Sequence, residues 1–238
     1  MRTDEFLKKL ESYRTPVFSF SELVKVLDKH ESYAKVFLNR AIKKKLLVKI
    51  EKGKYGLPNQ NPFSVASNLV FPSYISFISA YSFYNLTTQL PRTFFVVSLK
   101  QKREISCNDY KIKFVTMNKK RFFGYKKEFF NGKVLFIAEV EKTILDSLFL
   151  PIYCPISETF FALVKAKIDK DKLLEYVKKF DSKIVAKRLG YLLELSGIDI
   201  YDELKNFIRE NYELLNPIKP KTKEKNKKWK VIINEVFE

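Results

Sequence analysis

The adjacent residues Asn39 and Arg40, set in a lysine-rich stretch, carry the most directive chemistry in this chain. An Asn amide pairs bidentately with adenine and an Arg guanidinium with guanine, while an apolar side chain such as Val36 can meet a thymine methyl. Lys35, Lys43 and Lys44 beside them suit phosphates, and Ser32 and Tyr33 bring hydroxyls to the same stretch. With Lys52 and Lys54 downstream, the residues expected to contact DNA are Ser32, Tyr33, Lys35, Val36, Asn39, Arg40, Lys43, Lys44, Lys52 and Lys54. From Lys29 to Lys54 nine Lys or Arg face only Glu31 and Glu51. An ordinary amphipathic helix also exposes a charged face, so the surrounding elements must decide between the two readings.

Catalytic chemistry has less material. The single histidine, His30, falls in a turn between two expected helices, which leaves little for imidazole acid-base or metal work. Asp109-Tyr110-Lys111 matches an acid-x-Lys fragment of metal-dependent nucleases, without an upstream acidic partner at a strand end. Glu139, Glu141 and Asp146 lack the companions a metal site requires, and Thr143 and Glu141 fit capping and the helix dipole at a helix start. Cys107 and Cys154 are isolated and read as reduced thiols. With six glycines in the chain there is no phosphate-cradling loop. The expectation is a non-enzyme with no catalytic residue, metal or cofactor.

The elements that must hold Asn39 and Arg40 can be read locally. Ser19 and Glu22 have capping-box spacing, with Phe18 and Leu23 as hydrophobic staple, so a helix starts at about Phe20. A second helix is expected after Ser32 as N-cap. At helical spacing Ala34, Phe37, Leu38 and Ala41 share its buried side, leaving the polar set outward. Leu47 to Ile50 and Lys54 to Leu57 alternate like strands about Glu51-Lys52-Gly53, a basic hairpin with Gly at its tip. Two short helices and a charged hairpin are the layout of a winged helix-turn-helix, and such a hairpin would lie on the phosphate backbone.

The remainder supports the same partner class. Lys+Arg 45 against Asp+Glu 27 gives a net charge of +18 over 238 residues, which favours a polyanionic partner. No apolar run approaches a membrane span and the charged N-terminus is no secretory signal, so a cytoplasmic protein away from membrane is expected. Pro58-Asn59-Gln60-Asn61-Pro62 reads as a linker, dividing a domain over 1–58 from one over 63–238. In the second, Ser73 to Asn85 reads as a helix. Thr93 to Leu99, Tyr110 to Thr116, Phe122 to Phe130 and Lys133 to Ile137 read as strands, and 139–150, 157–168, 170–180, 182–196 and 200–214 as helices. A lysine-rich tether over 217–228 precedes a terminal strand over 229–237. Phe122-Phe123 and Phe129-Phe130 are expected in the core rather than as base-stacking platforms. Gly190, inside a helix, implies close approach of a neighbouring element.

Four pieces in order then carry a resemblance: the basic hairpin around Gly53 and Tyr55; YISFISAYSFYNLTTQLPRTFFVV over Tyr74 to Val97; IAEVEKTILDSL over Ile137 to Leu148; and KRLGYLLELSG over Lys187 to Gly197. Together these resemble the AbiEi family, the antitoxin and transcriptional-regulator half of type IV toxin-antitoxin systems. Lys45 departs from the pattern, standing where many members carry Gly after the recognition helix. The resemblance implies an α+β protein: an N-terminal winged helix-turn-helix, then a mixed α/β C-terminal domain with a small sheet and a helical segment. It implies binding to operator inverted repeats in double-stranded DNA, autorepression, and neutralisation of a cognate nucleotidyltransferase toxin. Direct contact with that toxin is left open, and RNA is a further candidate partner. A plain winged-helix regulator with a sensing or dimerisation domain, or a metal-dependent nuclease, are the alternatives.

Overall fold

The computed structural model describes residues 2–107 and 109–237, and it is a mixed α+β chain. In order its elements are α1 (Thr3–Ser12), β1 (Phe18–Ser19), α2 (Phe20–Leu27), α3 (Glu31–Lys43), β2 (Val48–Glu51), β3 (Lys54–Gly56), α4 (Pro62–Ser67), β4 (Ser73–Ile75), α5 (Phe77–Phe83), β5 (Thr93–Ser98), β6 (Ile105–Cys107) and β7 (Tyr110–Thr116). There follow β8 (Tyr125–Phe130), β9 (Lys133–Ala138), α6 (Val140–Phe149), α7 (Ile156–Lys165), α8 (Lys170–Phe180), α9 (Lys183–Leu195), α10 (Tyr201–Leu204), β10 (Glu213–Leu214), β11 (Lys225–Asn226) and β12 (Val231–Ile232). The chain divides into two compact units: Met1–Ile75 with Arg92–Thr116 and Lys126–Ile137, and Ser76–Pro91 with Met117–Tyr125 and Ala138–Glu238. The Pro58–Pro62 segment, read above as a linker, lies inside the first and runs into α4. There Asn61 Oδ1 accepts from the Phe63 amide at 2.9 Å and Pro62 starts the helix.

In the first unit α1, α2 and α3 bury Phe6, Leu10, Leu23, Val26, Leu27, Ala34, Leu38 and Ala41 with Phe18 and Leu47. The capping box forms: Glu22 N–H donates to Ser19 Oγ at 3.2 Å, and the Ser19 amide donates to Glu22 at 2.6 Å. β1, β3 and β2 make an antiparallel sheet in that order, with Phe18 opposite Tyr55 and Lys49 opposite Tyr55 on the other side. A six-stranded mixed sheet, β6-β7-β5-β4-β9-β8, completes the unit. β5 and β7 run parallel from Thr93↔Lys111 to Ser98↔Thr116, burying Phe94, Val96, Ile112 and Phe114 while Lys111 and Lys113 stay outside. That period of two is what a sheet with one solvated face requires.

The second unit is mostly helical. α6, α7, α8 and α9 bury Ile144, Leu145, Leu148, Leu163, Leu173, Val177 and Leu189. A small sheet, β10-β12-β11, closes it, and Trp229 beside β12 is fully buried. The close approach implied by Gly190 is this indole: a Cβ on Gly190 would fall 2.0 Å from Trp229 Cζ3.

Several expected elements differ. Ser73–Ile75 is a strand, not the start of a helix, because it pairs with both β5 and β9. The strand expected from Phe122 begins only at Tyr125, since Gly124 at φ 67 breaks extended backbone. The helix expected over 200–214 stops at Leu204, continues as a 3-10 turn over Lys205–Phe207, and Glu213–Leu214 is drawn into a parallel pair with β12. The expected tether is pinned in part, with Lys225–Asn226 paired to β12 and Asn234 Nδ2 donating to the carbonyls of Lys219 and Pro220. Phe129 and Phe130, expected in the core, are exposed, because β8 is an edge strand.

Candidate nucleic-acid interface

α3 begins two residues earlier than its sequence suggests. His30, not Ser32, is the N-cap, and its Nδ1 accepts from the Ser32 amide at 3.4 Å. An imidazole can serve as cap acceptor but is outside the usual Ser, Thr, Asp and Asn set. Ser32 moves into the first turn and stays exposed. The face division holds from there. Ala34, Leu38 and Ala41 are buried, and Phe37 is half-buried edge-on to Phe6 at 5.2 Å. Tyr33, Lys35, Val36, Asn39, Arg40, Lys43 and Lys44 are exposed. Tyr33 is 51 % exposed although its ring stacks on Phe37 at 6.2 Å, and Val36 is 49 % exposed. The outward face is thus an apolar contact at Val36 flanked by an amide, a guanidinium and three ammonium groups, which is what base edges and phosphates can use.

The hairpin divides its lysines between two tasks. Lys49 and Lys52 are exposed. Lys54 is turned inward: its ammonium donates to the Leu69 carbonyl and lies 3.4 Å from Glu51. Glu51 also pairs with Lys102 at 2.7 Å. Lys54 is therefore engaged within the protein, a departure from its expected role on phosphates. The i,i+3 spacing of Glu51 and Lys54 across the Lys52-Gly53 tip was the available signal. Lys49, outside the expected set, is exposed on β2.

The charged motif of α6 behaves in the opposite way. Lys142 and Asp146 form an ion pair with no exposed side-chain area, and Ser76 Oγ donates to Asp146 Oδ2 at 2.8 Å. The Lys142 ammonium also lies 5.1 Å from the Phe180 ring centroid and 5.3 Å from that of Phe123. Burial pushes this lysine below its ordinary range against the pull of Asp146. Thr143 Oγ1 donates to the Glu139 carbonyl at 2.9 Å, and Glu139 accepts from Lys172 and from the Tyr176 hydroxyl at 2.8 and 2.5 Å. Glu141 accepts from the Asp169 amide at 3.2 Å. On α9 Arg188 is buried, donating to the carbonyls of Leu148 and Leu214, and burial lowers it to about 10. Glu194 accepts from Trp229 Nε1 at 3.0 Å. These groups hold helices together, with Lys142, Asp146 and Arg188 buried.

Asp109 is exposed and Lys111 pairs with Glu104 at 3.4 Å. Among the described residues no three His, Cys, Asp or Glu gather as a metal-ligand group, and no helix is long and apolar enough to cross a membrane. Compared with protein-family models and with curated proteins, the sequence gives no match.

Proposed function

We propose that residues 1–58 form a winged helix-turn-helix that reads duplex DNA through α3, and that the chain is a DNA-binding antitoxin of the AbiEi kind. In this reading it represses its own operon and neutralises a nucleotidyltransferase toxin without catalysis of its own. The observation that carries the DNA half is the outward face of α3, where Val36, Asn39, Arg40 and Lys43 are exposed over a buried Ala34-Leu38-Ala41 stripe. The exposed lysines 49 and 52 of the neighbouring hairpin supply phosphate contacts beside it. Three details support the family half. Lys45, where the family pattern has Gly, sits in the left-handed region at φ 56. The Glu-Lys-Thr-x-x-Asp start of α6 and the Arg-Leu-Gly helix α9 each have a defined structural task, a Thr143-to-Glu139 hydrogen bond and a buried ion pair in one, close approach of Trp229 in the other.

The test separates readers from holders. Asn39→Ala and Arg40→Ala should each cost about 1–3 kcal/mol on the promoter of the chain's own operon and leave random duplex nearly unaffected. Lys49→Ala and Lys52→Ala should weaken both DNAs alike and flatten the salt dependence. Equal losses on both DNAs for all four variants would remove Asn39 and Arg40 as readers. The neighbouring reading frame tests the antitoxin half: absence of a nucleotidyltransferase there, or growth that its co-expression with this chain does not restore, rejects that half and leaves a regulator.

A further inference from the structure

The edge of the six-stranded sheet presents aromatic rings to solvent among cations. Phe129 on β8 is 50 % exposed and Phe71, in the loop before β4, is 77 % exposed. The Arg14 guanidinium lies 5.4 Å from the Phe129 ring centroid and the Lys127 ammonium 5.3 Å from it. The Phe71 and Phe136 rings meet at 6.0 Å. β8 and β9 are joined by Asn131 and Gly132, both at positive φ, the signature of a two-residue hairpin turn. Such a turn sets Phe130 across from Lys133, so Lys127 and Phe129 share a face with Val134 and Phe136. Glu128 falls on the opposite face, where it pairs with Lys126 at 2.7 Å. The Val134 amide donates to the Arg14 carbonyl at 2.8 Å, which holds Arg14 beside this face. All of these residues belong to the first unit.

Edge strands are commonly guarded by charge, and Lys126 and Lys127 do that here. Guarding does not account for the rings, since an exposed Phe makes an edge more adhesive. Rings flanked by Arg and Lys answer instead to a partner with both π-faces and negative charge. A nucleic acid has both, and a duplex does not offer its π-faces, because each base is already stacked between neighbours. The chain's net charge of +18 favours the same class of partner.

We propose that this face binds a single-stranded stretch of nucleic acid, with unpaired bases on Phe129 and Phe71 and the flanking phosphates on Arg14 and Lys127. Sequence preference is low, because stacking accepts any base and the two cations meet only the backbone. The site is separate from the outward face of α3 and does not depend on that helix reading a duplex. A chain with both surfaces can hold duplex operator and an unpaired strand, DNA or RNA, by different chemistry.

The experiment uses the full chain with labelled oligothymidine and oligouridine, and a hairpin duplex as the control, read by fluorescence anisotropy. Phe129→Ala and Phe71→Ala should each weaken single-strand binding about tenfold and leave duplex binding unchanged, while Phe129→Trp restores it. Arg14→Gln with Lys127→Gln should lower the salt slope by about 1–2 on single strands. All four side chains are at the surface, and thermal unfolding of each variant checks that the fold is kept. Undiminished single-strand affinity in the Phe71→Ala, Phe129→Ala double variant overturns the proposal, as does an equal loss on duplex. If the same variants lose binding to phosphatidylglycerol vesicles while oligonucleotide binding persists, the face is a membrane contact and the proposal fails. Comparing oligothymidine with oligouridine identifies which strand is preferred, and binding of either above the duplex supports the site.

Discussion

The cations of α3 and those of α6 and α9 are the same residue types under opposite conditions. Lys35, Arg40 and Lys43 stand exposed to water, open to an incoming anion. Lys142 and Arg188 are stripped of water and held by Asp146 and by the carbonyls of Leu148 and Leu214. A buried charge costs several kcal/mol in desolvation, which its partners offset only when the geometry is complete. The difference separates two uses of a basic composition. In α3 the charge is on the surface, where the proposed reading gives it to a partner, and removing it should leave the fold alone. In α6 and α9 it is for the fold, and removing its counter-charge should be severe.

The largest effect should come from breaking the buried pair on one side. Asp146→Ala takes the carboxylate away from Lys142 in the interior and should cost about 3–5 kcal/mol in urea denaturation. The double variant Lys142→Met, Asp146→Leu removes both charges and should recover most of that loss. A single variant as stable as the parent would show that water reaches this pair, contrary to its complete burial.

The second effect is on pH. Cys154 is buried with its sulfur 3.7 Å from Thr159 Oγ1, and burial pushes its thiol from 9.0 up to about 12. A folded-state value above the unfolded one means the unfolded chain loses its proton first. Stability from this group is therefore complete below pH 9 and is lost as pH rises toward 12. Tyr81, raised the same way by burial, adds to the decline, and Lys142, lowered by burial, opposes it. Both remain in Cys154→Ala. The difference between parent and variant should then report the thiol together with its charge coupling to Tyr81, with the parent losing up to about 1.4 kcal/mol more per pH unit above pH 9. Parallel stability curves would mean the thiol is already solvated.

The contrast also explains what could be read from sequence. The capping box at Ser19 and Glu22 and the buried stripe of α3 depend on residues three or four apart, and local spacing carries them. β4 was hidden because Ser73–Ile75 is a three-residue stretch too short to show a period of its own, made a strand by pairing with β5 and β9. Glu213–Leu214 was hidden for the same reason, as its partner Val231–Ile232 lies beyond a lysine-rich stretch. Burial of Lys142 and Arg188 follows from which helices meet, and no helical period reveals that. Lys54 shows the limit within the site: strand alternation places it on the hairpin, while its inward turn toward Leu69 is tertiary. Phe129 fails in the other direction, since a phenylalanine in a strand pattern reads as core unless the strand is known to be an edge.

The smallest effect sharpens the comparison at one residue where charge and fold meet. Lys45 follows α3 at φ 56, its amide donating to the Ile42 carbonyl at 2.9 Å, and the Leu46 amide donates to the Ala41 carbonyl at 3.0 Å. Those two bonds are the Schellman end of a helix, whose left-handed position normally holds Gly. An L side chain there costs about 1 kcal/mol, so Lys45→Gly should raise stability by about 0.5–1 kcal/mol in urea denaturation. The residue is exposed directly after the proposed recognition helix, and its retention at that cost is explained if the ammonium meets a phosphate. The same variant should then weaken operator and random duplex alike and reduce the salt slope by about 1. A gain in stability with an unchanged salt slope would remove Lys45 from the DNA surface and leave it as strain alone.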